Sequence, residues 1–294
     1  MESPGTILYY LKRSTEFLEK KSVPNPRLDA EILLADLLAI KRIELYSKFD
    51  MPLNPKEESE YRERIVQRGK FRPVAYIIGK KGFYHSEFFV NEHVLIPRPE
   101  TEELVELASK GFLNTKSNLR VLDLGTGSGC IGLSLALENP NHHYLLSDIS
   151  LEAIEVARSN AKKNNFPLSS MEFVQSDLFA EVSGRFDLIV SNPPYIPIEE
   201  KETLMPDVSN FEPHLALFVE DFEKFHWRFL SEAKDKLNPG GLLLIETHPE
   251  KGNFLLNTAG ELGYEKPELI LDYSNKIRFF KASNAKERDC ISHG

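Results

Sequence analysis

The stretch VLDLGTGSGCIGLSLA, Val121 to Ala136, decides the fold. An apolar run ends in a turn carrying Gly125, Gly127 and Gly129, and the chain then continues at once in residues suited to a helix. Strand, glycine turn and helix in that order read as the first crossover of a parallel sheet. Glycines in such a turn let the backbone come close to a ligand. With Thr126 and Ser128 between them, Gly125 to Gly129 form a candidate cofactor cradle. A bare G-x-G-x-G is shared by several nucleotide folds and also occurs as a plain tight turn, so its neighbours must decide.

Three neighbours do so. Asp123 stands at the strand end, where a carboxylate can cap the turn or meet a cationic ligand. No Gly-Lys-Ser/Thr follows, which excludes a triphosphate-binding loop. LLSDIS then puts Asp148 at the end of the next strand, roughly 20 residues beyond the glycines, where an acid accepts ribose hydroxyls. FVQSDLF brings Asp177 and Leu178 to the same rim, the acid for an adenine amino group and the leucine to cover the ring. The arrangement serves a dinucleotide or a nucleoside. The spacing departs from G-x-G-x-x-G, and S-adenosyl-L-methionine is the cofactor expected in preference to NAD.

One strand later, FDLIV runs into SNPPYIP, Ser191 to Pro197. Pro193 and Pro194 end any ladder and stiffen the chain. Asn192 and Tyr195 are left at the carboxyl end of a strand, where open α/β sheets bind ligands. The Asn192 and Pro193 carbonyls can each accept an N–H from a planar NH₂, fixing a poor nucleophile beside a methyl donor. Tyr195 supplies an aromatic wall. No nucleophilic side chain is required. The histidines make no metal-ligand pattern, and no metal is expected.

Strands and helices alternate from residue 118 to PELILDYSNKIRFFKA, whose two strands flank DYSNK as a hairpin. This predicts a mostly parallel seven-stranded sheet with an antiparallel edge hairpin. Residues 1–80 read as a small helical bundle, with helices in NPRLDAEILLADLLAI and NPKEESEYRERIVQRG. Residues 81–98 read as a linking β-hairpin turning at VNEHV, residues 99–284 as the cofactor-binding domain, and 285–294 as a flexible tail.

The bulk figures narrow the class. A net charge of −9 leans against nucleic acid as a direct partner. No apolar run is long enough to cross a membrane. The opening MESPGTILYYLKRSTEF lacks the parts of a secretory signal. Two cysteines, Cys130 and Cys290, cannot build a disulfide framework. A cytoplasmic monomer is the expectation.

LIPRPETE, DLGTGSG, SNPPYIP, FEPHLAL and DYSNKIR together resemble a known family, the Rossmann-like class I methyltransferases with an (N/D)PP(Y/F) motif. Within it the chain is similar, over nearly its whole length, to the HemK/PrmC proteins. The resemblance implies methylation of the glutamine in the Gly-Gly-Gln loop of peptide chain release factors. It also implies an N-terminal helical domain for recognising them. Carried across by motif, Gly125 to Gly129, Asp148, Leu178 and Asn192 would hold the cofactor, and Asn192 to Tyr195 the substrate. Arg98 and Glu100 would stand at a lid-like edge of the pocket. Two stretches depart from the pattern: FEPHLALFVEDFEKF lacks a glycine-rich turn, and LLIETHPEKG lacks the usual isoleucine-glycine after its glutamate. Three alternatives stay open at this level: a glutamine methyltransferase for a ribosomal protein, an adenine-N6 methyltransferase for DNA or RNA, and a non-catalytic binder of the cofactor.

Overall fold

The computed structural model describes residues 4–115, 117–166 and 168–285. Cys290 and the expected tail beyond residue 285 lie outside the described residues. The chain forms two units, one running up to Lys80 and including Leu204–Phe211, the other made of Lys81–Thr203 and the chain from Glu212 onward.

The first unit contains α1 (Ile7–Lys20), α2 (Pro26–Leu37), α3 (Pro55–Arg68) and the short α4 (Val74–Ile78). The start of α3 follows from its sequence. Asn54 Oδ1 accepts from the backbone N–H of Lys56 and Glu57, and Glu57 Oε2 accepts in return from the Asn54 N–H. With Pro55 in the first turn, this is a complete capping box. Ile7, Leu11 and Leu18 of α1, Leu33 and Leu34 of α2, and Tyr61 and Ile65 of α3 close the core. Beside it Arg68 is buried and its guanidinium donates to Asp29 at 2.7 Å and Asp207 at 3.3 Å.

The second unit opens within β1 (Lys80–Phe83), whose first residue is the last of the helical stretch, and continues in β2 (Ser86–Phe89). This corrects the expected hairpin, which is shorter, starts earlier and turns at Tyr84-His85 rather than at VNEHV. Tyr84 takes φ 52°, so the turn closes without glycine, and its ring lies 4.2 Å from that of His85. VNEHV follows the hairpin as a separate turn in which Val94 N–H donates to the Asn91 carbonyl. The hairpin groups with this unit, and Leu204–Phe211 groups with the helices.

Next come α5 (Pro99–Gly111), β3 (Arg120–Leu124), α6 (Cys130–Glu138), β4 (His143–Asp148), α7 (Leu151–Lys163), β5 (Met171–Gln175) and β6 (Phe186–Ser191). After β6 the chain makes β7 (Ile196–Pro197), α8 (Pro206–Phe211, grouped with the first unit), α9 (His214–Leu217) and β8 (Phe218–Val219). It closes with α10 (Phe222–Lys236), β9 (Leu237–Glu246), α11 (Gly252–Glu261), β10 (Glu265–Leu271) and β11 (Ile277–Ser283).

Seven strands form one sheet in the order β10-β11-β9-β6-β3-β4-β5. Its pairings from β9 to β5 are parallel, and β11 is antiparallel to both β9 and β10. Side chains alternate across the strands. Val121, Leu188, Val190 and Leu244 pack with α5 and α6 on one face, whereas Leu122, Ile189, Leu243 and Ile245 pack with α10 and α11 on the other. Covering both faces explains why these strands are apolar throughout.

Candidate functional site

The topology chooses the position of the site. From β3 the chain winds outward through β4 and β5, then returns to lay β6 on the other side of β3. The carboxyl ends of β3 and β6 therefore flank the switch point of an open α/β sheet, where a crevice forms. Leu124 is paired with both Ser147 and Ser191, and the Ser191 hydroxyl donates to the Leu124 carbonyl at 2.6 Å. Gly125, Asp148 and Asn192, each the next residue along its strand, thus stand at one level of the sheet edge.

The turn is held from both sides. Asp123 is buried, and its Oδ2 accepts the Thr126 hydroxyl at 2.6 Å and the Gly132 N–H at 2.8 Å. It caps the turn and does not line the crevice, which resolves the two roles open to it. Burial pushes its carboxyl up to about 6. From the other side, Asp148 Oδ2 accepts the Gly127 N–H at 2.9 Å and Oδ1 the Ser150 N–H at 3.0 Å. Burial also raises Asp148, with the backbone N–H bonds opposing it. Gly127 has φ 54° and nothing within 4 Å of where a Cβ would stand, so the backbone is open to a ligand there.

A cavity of about 710 Å³ opens over this turn. Gly125, Thr126, Gly127, Ser128, Asp148, Asp177, Leu178 and Asn192 line it, and so do Arg98, Thr101, Pro194, Ile149 and Arg228. Gly129, Pro193, Tyr195 and Glu100, all expected at the site, are not among its lining residues. Gly129 instead sets the helix start: at φ 82°, a Cβ would lie 2.9 Å from Leu133 Cδ1. Asp177 is also not simply an open acceptor. Arg228 donates to both its oxygens at 3.1 Å, but both side chains are about half exposed, so the pair is easily opened. Leu178 takes φ 48°, held by the Ser176 hydroxyl donating to its carbonyl at 2.8 Å. That backbone strain, costing on the order of 1 kcal/mol, places an apolar side chain on the rim.

Just past the end of β6, Asn192 Nδ2 donates to the Thr101 hydroxyl oxygen at 3.3 Å. Thr101 in turn donates to Glu246 Oε2 at 2.7 Å, and Tyr195 donates its phenol to Glu246 Oε1 at 3.0 Å. Glu246 ends β9 and is buried. Burial raises its carboxyl, opposed by the two hydroxyls and by Arg278. Burial and the Glu246 charge push the Tyr195 phenol up. Glu246 went unassigned in the sequence because its partners lie 145 and 51 residues away. The only hint was its place at a strand end. A second glutamate joins two loops beside the cavity: buried Glu212 accepts from Arg98 at 2.7 Å and from the Ile96 N–H at 3.1 Å, tying FEPH to IPRP.

The donor set fits S-adenosylmethionine. The cavity is within the range used by cofactor-sized ligands. It combines an open backbone surface at Gly127, a carboxylate at Asp148 and an apolar residue at Leu178. Among the described residues no cluster of His, Cys, Asp or Glu is built to hold a metal ion, and no helix is long and apolar enough to cross a membrane.

Residues 10–79 match the PrmC N-terminal domain and residues 104–207 the Methyltransferase small domain. The chain is 48% identical to the release factor glutamine methyltransferase of Leptospira interrogans, over 95% of its own length and 98% of that protein. It is 38% identical to the release factor glutamine methyltransferase of Chlorobaculum tepidum, covering 94% and 96% of the two chains. The crystal structure of the hMettl16 catalytic domain in complex with MAT2A 3′UTR hairpin 6 superimposes with a TM-score of 0.55 at 14% identity, over 80% of this chain and 84% of that one, and so shares the fold. With that identity sustained across both units, the chain belongs to the release factor glutamine methyltransferase family.

Proposed function

We propose that this chain uses S-adenosyl-L-methionine to methylate the side-chain amide nitrogen, N5, of the glutamine in the Gly-Gly-Gln loop of peptide chain release factors. One observation carries the site assignment: Asn192, on the stiff turn after β6, lines the same cavity as Gly125, Gly127 and Asp148. When bound, the cofactor supplies an electrophilic methyl on a sulfonium. The chain's own task is to bind and orient. Gly125 to Ser128, Asp148, Asp177 and Leu178 serve the cofactor, and Gly129 lets the turn enter α6. The Asn192 side-chain carbonyl and the Pro193 backbone carbonyl each accept one N–H of the substrate carboxamide. Held that way, the nitrogen presents its lone pair out of the amide plane toward the methyl. As charge develops on nitrogen, the same two dipoles stabilise it. Pro194 walls the site, and Tyr195 holds Glu246 beside it.

In this reading residues 1–80 recognise the release factor and residues 99–284 carry the chemistry. The β1–β2 hairpin and the VNEHV turn after it are the chain between them. A monomer suffices, because every assigned residue comes from one chain. The cytoplasm, where release factors meet ribosomes, is the compartment this implies.

The test is methyl transfer from labelled S-adenosylmethionine to full-length release factor. A release factor with Gln→Ala in its Gly-Gly-Gln loop, a ribosomal protein and DNA are run beside it. Label on the intact release factor alone supports the reading. Label on DNA or the ribosomal protein instead, or equal label on the altered loop, contradicts it.

A further inference from the structure

The hydrogen bonds around Asn192 run in one direction. Glu246 offers only acceptors when ionised, and each of its oxygens takes one hydroxyl, Oε2 from Thr101 and Oε1 from Tyr195. The single Thr101 proton is thereby committed. What the Thr101 oxygen has left is lone pairs, and those meet the Asn192 amide nitrogen. Turning the amide over would set its oxygen against an oxygen with no proton to give. An asparagine amide is otherwise nearly symmetric in shape, and only its hydrogen-bond partners distinguish the two ends. Among the described residues no donor is bonded to the Asn192 carbonyl oxygen.

This polarity matters because the proposed substrate group is itself a donor. An incoming NH₂ needs an acceptor, and an asparagine free to turn over would meet it with its own NH₂ for part of the time. We propose that Thr101 and Glu246 are positioning residues that fix the hydrogen-bond polarity of Asn192, so that its carbonyl rather than its NH₂ faces the substrate nitrogen. The inference rests on the glutamine-methylation reading and adds the device that makes Asn192 an acceptor.

The surroundings hold Glu246 in its part. Tyr195 occupies its second oxygen from the turn after β6, and Arg278 on β11 opposes the burial penalty. Glu100 on α5 is the nearby charge acting the other way, and Asp272 holds Arg278 at 3.3 Å. The network therefore draws on α5, β9, β11 and the NPPY turn. None of these is adjacent to another in sequence.

The test uses the full chain, with single-turnover transfer to release factor at saturating cofactor and calorimetric cofactor affinity on the same preparations. Thr101→Val keeps the shape and removes the hydroxyl. Glu246→Gln keeps the shape but leaves one acceptor oxygen for two hydroxyl protons, so the Thr101 proton is no longer held away from Asn192. Each variant is expected to slow transfer on the order of 100-fold. Cofactor Kd is expected to stay within roughly threefold of wild type, marking a loss confined to the transfer step. Thr101→Ser, which keeps the hydroxyl, is expected to recover most of the rate. If Glu246→Gln does not fold, the Val and Ser pair at Thr101 decides alone. Wild-type transfer rates in Thr101→Val and Glu246→Gln overturn the assignment and leave the glutamine reading standing. Rate losses matched by equal losses of cofactor affinity overturn it as well, because they mark a structural role. Absence of glutamine methylation by the wild-type protein overturns the functional reading and this assignment together.

Discussion

Asp148 accepts the Gly127 N–H across 2.9 Å, so the acid assigned to the ribose also shapes the turn assigned to the rest of the cofactor. Its other oxygen accepts the Ser150 N–H, which leaves the carboxylate no freedom to rotate. Asp148→Asn would set an NH₂ against one of these N–H groups. Loss of a charged acceptor of this kind costs about 1.5–3 kcal/mol, so S-adenosylmethionine affinity is expected to fall roughly 10- to 100-fold by calorimetry. Unchanged affinity would remove Asp148 from the cofactor site.

Asn192→Ala separates the two halves of the site. The amide is assigned to the substrate nitrogen, so transfer is expected to fall on the order of 100-fold or more. Cofactor binding, carried by the turn and Asp148, is expected to persist. Calorimetry showing that Asn192→Ala no longer binds S-adenosylmethionine would reverse that division of roles.

A third expectation concerns pH. Asp123 sits near 6 in the folded protein against an ordinary 3.8, so the folded state binds its proton more tightly than the unfolded state does. Stability from this group is therefore greatest below the ordinary value and is lost as pH rises toward 6. The loss is on the order of 2–3 kcal/mol. Asp148 and Glu246 are raised in the same direction, so the informative quantity is a difference. Urea unfolding of wild type and Asp123→Asn should show the wild-type stability falling relative to the variant between about pH 4 and pH 6, then staying level. A difference that is flat across that window would contradict the buried, raised carboxyl.

In the helical unit, Arg68 makes the decisive buried contacts. It bonds Asp29, Asp207 and the Phe71 and Arg72 carbonyls, and is itself buried. Arg68→Ala leaves the Asp29 carboxylate buried without its partner, a change that costs about 3–5 kcal/mol. The unfolding transition of this unit should move accordingly in urea. A shift below about 1 kcal/mol, the size of a surface pair, would show the cluster to be solvent-relaxed.

The sheet was legible because its evidence is local. Apolar runs that end in Gly125, Asp148, Asp177 and Asn192 announce strand ends whatever the rest of the chain does, and parallel topology puts those ends on one edge. The Asn54 capping box and the edge hairpin at DYSNK were legible for the same reason. The 81–98 hairpin was misjudged at its turn because Tyr84 takes a left-handed conformation that the sequence does not advertise. The Asp177–Arg228 pair and the Thr101–Glu246–Tyr195 network lay beyond reach for another reason. Each joins residues at least 51 positions apart, and no spacing rule connects a helix start to the end of a strand so distant in sequence.

The central claim is that the Asn192 turn holds a carboxamide NH₂ beside the methyl donor. The most direct measurement is mass-spectrometric mapping of the methyl group on release factor after reaction with the purified protein and S-adenosylmethionine. The account predicts a single methyl on the side-chain nitrogen of the Gly-Gly-Gln glutamine. A methyl found on a lysine, an arginine or a backbone atom, with that glutamine unmodified, would contradict it.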